Sequence, residues 1–299
     1  MITFRVRGLS AASSREFVVL VDVVPQQSAQ VGAFYDRMGS YFATVYGGDS
    51  NIHFGYWDDA QDLAEPVAAQ DRLTRMALEW LKPRPQEWLL DVGCGRGGPG
   101  RLAARESGCS VAGVSVSRSQ VDQAHAAALA EGLGGRVRVQ HADALQLPFP
   151  AGSFGSLWAL ESVFHMADRA KVFTEMARVL VPGGRVAITD IVQIGPMSEE
   201  LAGHLTRTLM CAPLARIEEY GEAVAVAGLR VERVRDISVH SRRSVEQIHA
   251  RHLDHEQELR RYCGDEFIDG LLVEWPVVLE AFGESLGYVF VTAEKPGAV

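Results

Sequence analysis

"LLDVGCGRGGPG", Leu89 to Gly100, decides how this chain is read. Its first half is an apolar run of strand length, and glycine then takes over through a tight turn into a helix. Gly93, Gly95 and Gly98 have the G-x-G-x-x-G spacing, which lets a ligand approach backbone amides at a helix N-terminus. Alone the motif is weak, because dinucleotide folds carry it too. A dinucleotide site wants an acid about 20 residues further on to hold the ribose. Here that region reads "GVSVSRSQ", Gly113 to Gln120, without a carboxylate; only Arg118 keeps a 2′-phosphate reading open.

Outward from the glycines, strand and helix signals alternate. "EWLLDV", "CSVAGV", "RVRVQH", "FGSLWAL" and "RVAITDIV" read as strands. Between them lie a helix from Gly98 to Glu106, one capped by Ser117 and running to about Glu131, and "DRAKVFTEMARVL" closed by "VPGG". Apolar strands alternating with amphipathic helices predict an α/β fold, a parallel sheet covered on both faces. Before it, Gln30 to Tyr46 and Glu65 to Leu81 have helical spacing. After it, 196–227 reads as helical, "LRVERVRDISVH" as a strand, about 244–262 and 265–283 as helices, and "GYVFVTAE" as a last strand. Residues 1–27 read as an extension outside the core, either a short hairpin or without order. Residues 28–299 form one domain in this reading.

Composition narrows the partners. With 29 Lys and Arg against 38 Asp and Glu the net charge is −9, and no basic block stands out. That argues against nucleic acid and anionic membrane as partners. No apolar run approaches the roughly 20 residues of a membrane helix. Cys94, Cys109, Cys211 and Cys263 lie far apart without metal-ligand spacing, and suit a reducing cytoplasm better than a disulfide framework. No metal site is expected. In "HARHLDHE", His249, His252 and His255 are spread over a third of a helix circumference, which fits a solvated face. A monomer or homodimer is expected.

Four consecutive segments, "DVGCGRGG", "GVSVSRSQVDQA", "HADALQLPFPAGSF" and "ARVLVPGGRVAITD", resemble the class I S-adenosylmethionine-dependent methyltransferases. The likeness is greatest to the small-molecule methyltransferases of bacterial secondary metabolism and covers about residues 30–195. It implies a Rossmann-like sheet of order 3-2-1-4-5-7-6 with the last strand antiparallel, and S-adenosyl-L-methionine or S-adenosyl-L-homocysteine as cofactor. By the resemblance Asp91, Gly93 and Gly95 form the turn that holds the methionine part. The family's usual acid after the second strand is replaced by an "S-x-S-x-x-Q" pattern, so Ser115 and Gln120 become the ribose contacts. Asp143 would meet the adenine amine, with Ala144 and Val116 against the faces of the ring. The plainer alternatives are a turn-forming aspartate and a solvated glutamine. "FYDRMGSYFATVYGGDSNIHFGYW" also resembles this subgroup, where it folds over the cofactor. Residues 28–82 are therefore the expected lid, with Tyr35 and Trp57 as lid contacts or simple core residues.

The reacting centre falls in "LESVFHMADR", Leu160 to Arg169. A hydroxyl acceptor must lose its proton on methylation, and histidine is matched to take it. Sugar and macrolide O-methyltransferases resembling this chain read Glu-Ser-x-His-His; here stand Glu161, Ser162, Val163, Phe164 and His165, with a ring of carbon in place of one imidazole. His165 is the expected base, against an ordinary histidine near a helix start. Asp190 is expected to orient it or the acceptor, against a strand-end residue bonding a turn. Glu161 is expected to brace the cofactor region. The insertions at 196–227 and 241–285 would shape a cavity for a largely apolar small molecule, with Phe164 as a lining residue; Trp275 and Phe282 read as core residues, with one of them lining the cavity as the alternative. Two enzyme readings follow. One is methyl transfer to a hydroxyl or carbon of a polyketide, macrolide or its sugar. The other resembles the methyltransferase-like cyclases of spinosyn-type pathways, which keep the cofactor as a structural element and close carbon–carbon rings by cycloaddition. Phe164, and Gly155 where the family usually has aspartate, point modestly toward the second.

Overall fold

The glycine loop sits at the centre of a seven-stranded sheet. The computed structural model describes residues 3–7, 14–18, 26–48 and 50–297. An antiparallel hairpin comes first, β1 (Thr3–Arg7) and β2 (Ser14–Val18), whose strands pair only with each other. The rest of the expected 1–27 extension, apart from the helix start at Gln26, lies outside the described residues. Three helices follow, α1 (Gln26–Arg37), α2 (Gly39–Tyr46) and α3 (Pro66–Leu81).

The alternating part then runs β3 (Trp88–Val92), α4 (Gly98–Ser107), β4 (Ser110–Ser115), α5 (Arg118–Ala130), β5 (Val137–His141), β6 (Phe154–Leu160), α6 (Arg169–Val179) and β7 (Leu180–Gln193). After it come α7 (Glu199–Thr208), α8 (Ile217–Val226), β8 (Arg230–Asp236), α9 (Ser238–Asp254), α10 (Glu256–Cys263), α11 (Asp265–Ala281) and β9 (Leu286–Glu294). The spatial order is β5-β4-β3-β6-β7-β9-β8, which is 3-2-1-4-5-7-6 counted from β3, with β9 antiparallel to both neighbours. This is the expected Rossmann-like order.

The strand period of two divides the core. Leu89 belongs to one buried cluster with Trp158 and Ala187, and Leu90 to the other with Leu157 and Ile188. Each face is covered by helices, so the central strands can be apolar throughout. Several boundaries differ from expectation: the Gln30–Tyr46 helix is broken at Met38, and the one expected at about 244–262 starts at Ser238 and breaks at His255. The strand predicted through His240 ends at Asp236, because Asp236 Oδ1 accepts the Ser238 amide at 2.8 Å and turns the chain into α9. The helical 196–227 stretch is interrupted at 209–216, where Met210 has φ of 50° and Pro213 follows. Among the described residues no helix is long and apolar enough to cross a membrane, and no cluster of acids, cysteines and histidines has metal-site geometry. All four cysteines are unpaired thiols.

Candidate active site

The carboxyl ends of β3, β4, β5 and β6 converge on one cavity, where open α/β sheets take their ligands. Gly93, at φ of 76°, makes the turn out of β3; its amide and that of Cys94 both bond the Val114 carbonyl at 2.9 Å. A Cβ on Gly93 would fall 2.3 Å from the Ser162 Cβ, so only glycine lets the loop after β6 close against it. Gly95, at φ of 50°, is different. A Cβ there would meet no atom nearer than 3.9 Å, since its open side is the cavity itself.

The other walls follow in strand order. Ser115 ends β4 and donates to Gln120 Oε1 at 2.9 Å, while Ser117 caps α5 by accepting the Gln120 amide at 3.1 Å. Asp143 follows β5; its Oδ1 accepts the Leu145 amide at 2.8 Å and its Oδ2 is buried without a hydrogen-bond partner. Asp91 Oδ2 is likewise buried and unpartnered, and burial pushes this carboxyl up to about 7. Unpaired buried polar atoms are costly, roughly 1–3 kcal/mol each. These two therefore want donors from the cavity that both residues line. S-adenosylmethionine fits that demand: its methionine end is cationic and its adenine carries an amino donor. Val116, Ala144, Tyr35, Glu161 and His165 line the same cavity. Helix α1 covers it at backbone distance, since a Cβ on Gly32 would fall 2.3 Å from the Val116 oxygen.

A second cavity of about 380 Å³ adjoins the first, and Tyr35 and Glu161 line both. Its walls are rich in aromatic rings, among them Tyr41, Phe42, Phe54, Phe164 and Trp275, with Arg37, Arg207, Glu266 and Glu274 also in the lining. At the junction His165 is held at both ring nitrogens. Nδ1 lies 2.8 Å from the Met210 carbonyl, so Nδ1 carries the proton and donates. Nε2 is then the acceptor for the Tyr35 hydroxyl, also at 2.8 Å. Burial lowers this imidazole to about 4, leaving it neutral at physiological pH. Of the three non-glycine residues with positive φ among those described, two flank this point: Glu161 at 53° and Met210 at 50°. Such backbone costs on the order of 1 kcal/mol or more and persists where the surroundings enforce it. Glu161 accepts the Phe54 amide at 2.7 Å and the Tyr46 hydroxyl at 3.4 Å, and burial raises it to about 8.

Two expected residues stand elsewhere. Asp190 lines neither cavity; besides Tyr220 it is hydrogen-bonded by the backbone of Phe164, the residue before His165. It is fully buried on β7, takes the Tyr220 hydroxyl from α8, and burial raises it to about 7. Trp57 is no contact of the main cavities; its indole donates to the Ala64 carbonyl at 2.9 Å in a small pocket beside α3 and α9. Phe164 and Trp275 do line the second cavity. Sequence reasoning missed His53, Ile52, Val31 and Arg96 at the first cavity and Tyr41, Phe42 and Tyr46 at the second. The "HFGYW" signal pointed to His53's segment but placed its weight on Trp57.

Residues 90–188 match the methyltransferase domain family. Methyltransferase GfsG of Streptomyces halstedii is 35% identical over 272 residues, 90% of this chain and 95% of that protein. The 27-O-demethylrifamycin SV methyltransferase of Amycolatopsis mediterranei is 34% identical over 272 residues, 89% of this chain and 97% of its own. Among solved structures the [4+2]-cyclase SpnF is similar at a TM-score of 0.81 and 29% identity, covering 91% of this chain and 97% of that one.

Proposed function

The chain belongs to the class I S-adenosylmethionine-dependent methyltransferases of natural-product metabolism, and on that footing we propose that it methylates a hydroxyl of a largely apolar, medium-sized polyketide or macrolide. One observation carries the reading: the Tyr35–His165 hydrogen bond stands where a polar cavity and an aromatic one meet. One relative is named for an O-demethylated acceptor, which supports oxygen over carbon.

When bound, S-adenosylmethionine supplies a methyl group on a positively charged sulfur. The chain's own residues do the rest. Asp91 and the Gly93–Gly95 turn would hold the methionine end, Ser115 and Gln120 the ribose, and Asp143 the adenine amine between Val116 and Ala144. Residues 28–82 act as the lid, and the aromatic walls hold the acceptor in line and dry. Tyr35 lines both cavities whereas His165 lines only the first, so Tyr35 relays. As the acceptor oxygen gains its methyl group, its proton passes to Tyr35 Oη and the phenol's proton to His165 Nε2. The carbon–sulfur bond breaks with its electron pair left on sulfur, so the products are a neutral ether, S-adenosylhomocysteine, an intact phenol and an imidazolium. A weak base suffices, because an oxygen gaining the methyl group as its third substituent takes on oxonium character and becomes far more acidic than an alcohol.

A second reading, carbon–carbon ring closure with the cofactor structural, is favoured by the 29% identity to a cyclase and by Phe164 facing the aromatic cavity. Mass measurement on product from the pathway intermediate separates the two, with adenosylhomocysteine followed in parallel. Methyl transfer gives a product heavier by one methyl-for-hydrogen exchange and an equivalent of adenosylhomocysteine. An isomer of unchanged mass without adenosylhomocysteine overturns it in favour of ring closure.

A further inference from the structure

A second phenol–imidazole pair stands in the wall of the aromatic cavity. Tyr41 Oη lies 2.7 Å from His252 Nε2, and the two rings stack at 5.6 Å and 22°. His252 is 1% exposed, so the solvated face expected for "HARHLDHE" does not extend to it. Its ring meets Trp275 edge-on at 5.2 Å. Tyr41 and Trp275 line the cavity, and His252 stands behind them. The Trp275 indole is already satisfied by the Val245 carbonyl at 3.1 Å. Tyr41 has no other hydrogen-bond partner among the described residues. Phe42 joins this pair to the reacting one, stacking on Tyr35 at 4.9 Å and meeting Tyr41 edge-on at 5.2 Å.

The tautomer of His252 decides what Tyr41 can offer. Its Nδ1 is buried with no hydrogen-bond partner. A proton on Nδ1 would leave a buried N–H orphaned, which folded proteins rarely tolerate; a bare lone pair there is the lesser fault. The proton then sits on Nε2 and is donated to Tyr41 Oη. That occupies a lone pair of the phenol oxygen and frees the phenol's own proton, the reverse of the Tyr35–His165 arrangement. A donor fixed in an aromatic wall selects a partner that accepts without bringing a proton of its own to bury.

We propose that Tyr41, held by His252, is a positioning residue that recognises a carbonyl oxygen of the acceptor, so that the substrate is a ketone, ester or amide as well as an alcohol. This rests on reading the aromatic cavity as the acceptor site. The test uses the full chain saturated with S-adenosylhomocysteine and a matched pair of probes, α-tetralone and tetralin, in titration calorimetry. The ketone should bind about three- to tenfold tighter, the worth of one net hydrogen bond. Tyr41→Phe should bring the two probes to equal affinity while S-adenosylhomocysteine binding, which reports an intact fold, is unchanged. Equal affinities in the parent protein, or a ketone preference that survives Tyr41→Phe, overturns the proposal. Nitrogen NMR of histidine-labelled protein, with His252 assigned by its loss in His252→Gln, should show the Nε2–H tautomer; the Nδ1–H form overturns it independently. If neither probe binds, the acceptor-site reading falls with it, whereas adenosylhomocysteine release from the pathway intermediate tests methyl transfer on its own.

Discussion

As the proposed base, His165 is oriented by two hydrogen bonds and loses basicity to burial. The Met210 carbonyl fixes the Nδ1–H tautomer, and burial lowers the imidazole to about 4. The base is therefore already deprotonated across the physiological range, and a methyl-transfer kcat should stay level from pH 7 down to about 5 on this account. It should fall only as His165 itself takes a proton near 4. His165→Gln should cost about 10²–10⁴-fold in kcat, the usual range for a lost general base. Tyr35→Phe should cost a similar factor, and the double variant little more than either, because one relay is broken in each. Single-turnover kinetics with saturating S-adenosylmethionine checks this; full activity in Tyr35→Phe would remove the tyrosine from the path. His165 was legible because its motif follows a strand end that the glycine loop had already placed. Asp190 was not, since its partner Tyr220 lies on a helix 30 residues later. Nothing in "AITDIV" says which way a strand-end carboxyl will be satisfied.

Elements explain why some positions were legible and others were not. Strands β3 to β7 announce themselves by apolar period, and the turn between β3 and α4 by glycines whose φ values no other residue adopts cheaply. Two of those glycines serve different ends. Gly93→Ala drives a Cβ to 2.3 Å from Ser162 and should destabilise the fold by several kcal/mol, about 3 or more, as overpacking and left-handed strain add. Gly95→Ala pays about 1–2 kcal/mol of left-handed strain, yet its methyl enters the cavity. Thermal melts alongside S-adenosylhomocysteine titrations should separate them: a large fall in Tm for the first, a modest fall with lost binding for the second. Similar melts for both would contradict this division. At Gly155 a Cβ would lie 3.5 Å from a Glu87 carboxyl oxygen, so an aspartate there would face another acid. The aromatic cavity was the least legible part. Its walls come chiefly from α1, α2, α7 and α11, and only the mutual docking of these helices decides that Tyr41 lines a cavity while Trp57 fills a corner.

Across the whole molecule, burial shifts two opposing sets of groups. His53, His165 and His252 are each lowered to about 4, while Asp91 and Asp190 are raised to about 7 and Glu161 to about 8. For a histidine whose folded value lies below the unfolded 6.5, the unfolded chain takes protons first, so stability is lost as pH falls from about 6.5 to 4. For a carboxyl whose folded value is raised, stability is greatest below the unfolded value and is lost as pH rises from about 4 to 7 or 8. Between about 4.5 and 6.5 the sets oppose each other, three against three, and the Tm of the protein alone should be nearly level there. A cationic cofactor changes the balance at one residue. On the proposed reading Asp91 holds it as carboxylate, so binding near pH 6 should release the proton that burial keeps on that group. Affinity for S-adenosylmethionine should then weaken about tenfold per pH unit below about 7, and the rise in Tm it confers should grow with pH and level off above 7. Titration calorimetry at pH 6 in two buffers of different ionisation heat should register close to one proton released per cofactor bound. Asp91→Asn should bind more weakly and show neither the proton nor the slope. A pH-independent affinity in the parent chain would mean that Asp91 is already ionised before the cofactor arrives, or that it takes no part in holding the methionine end.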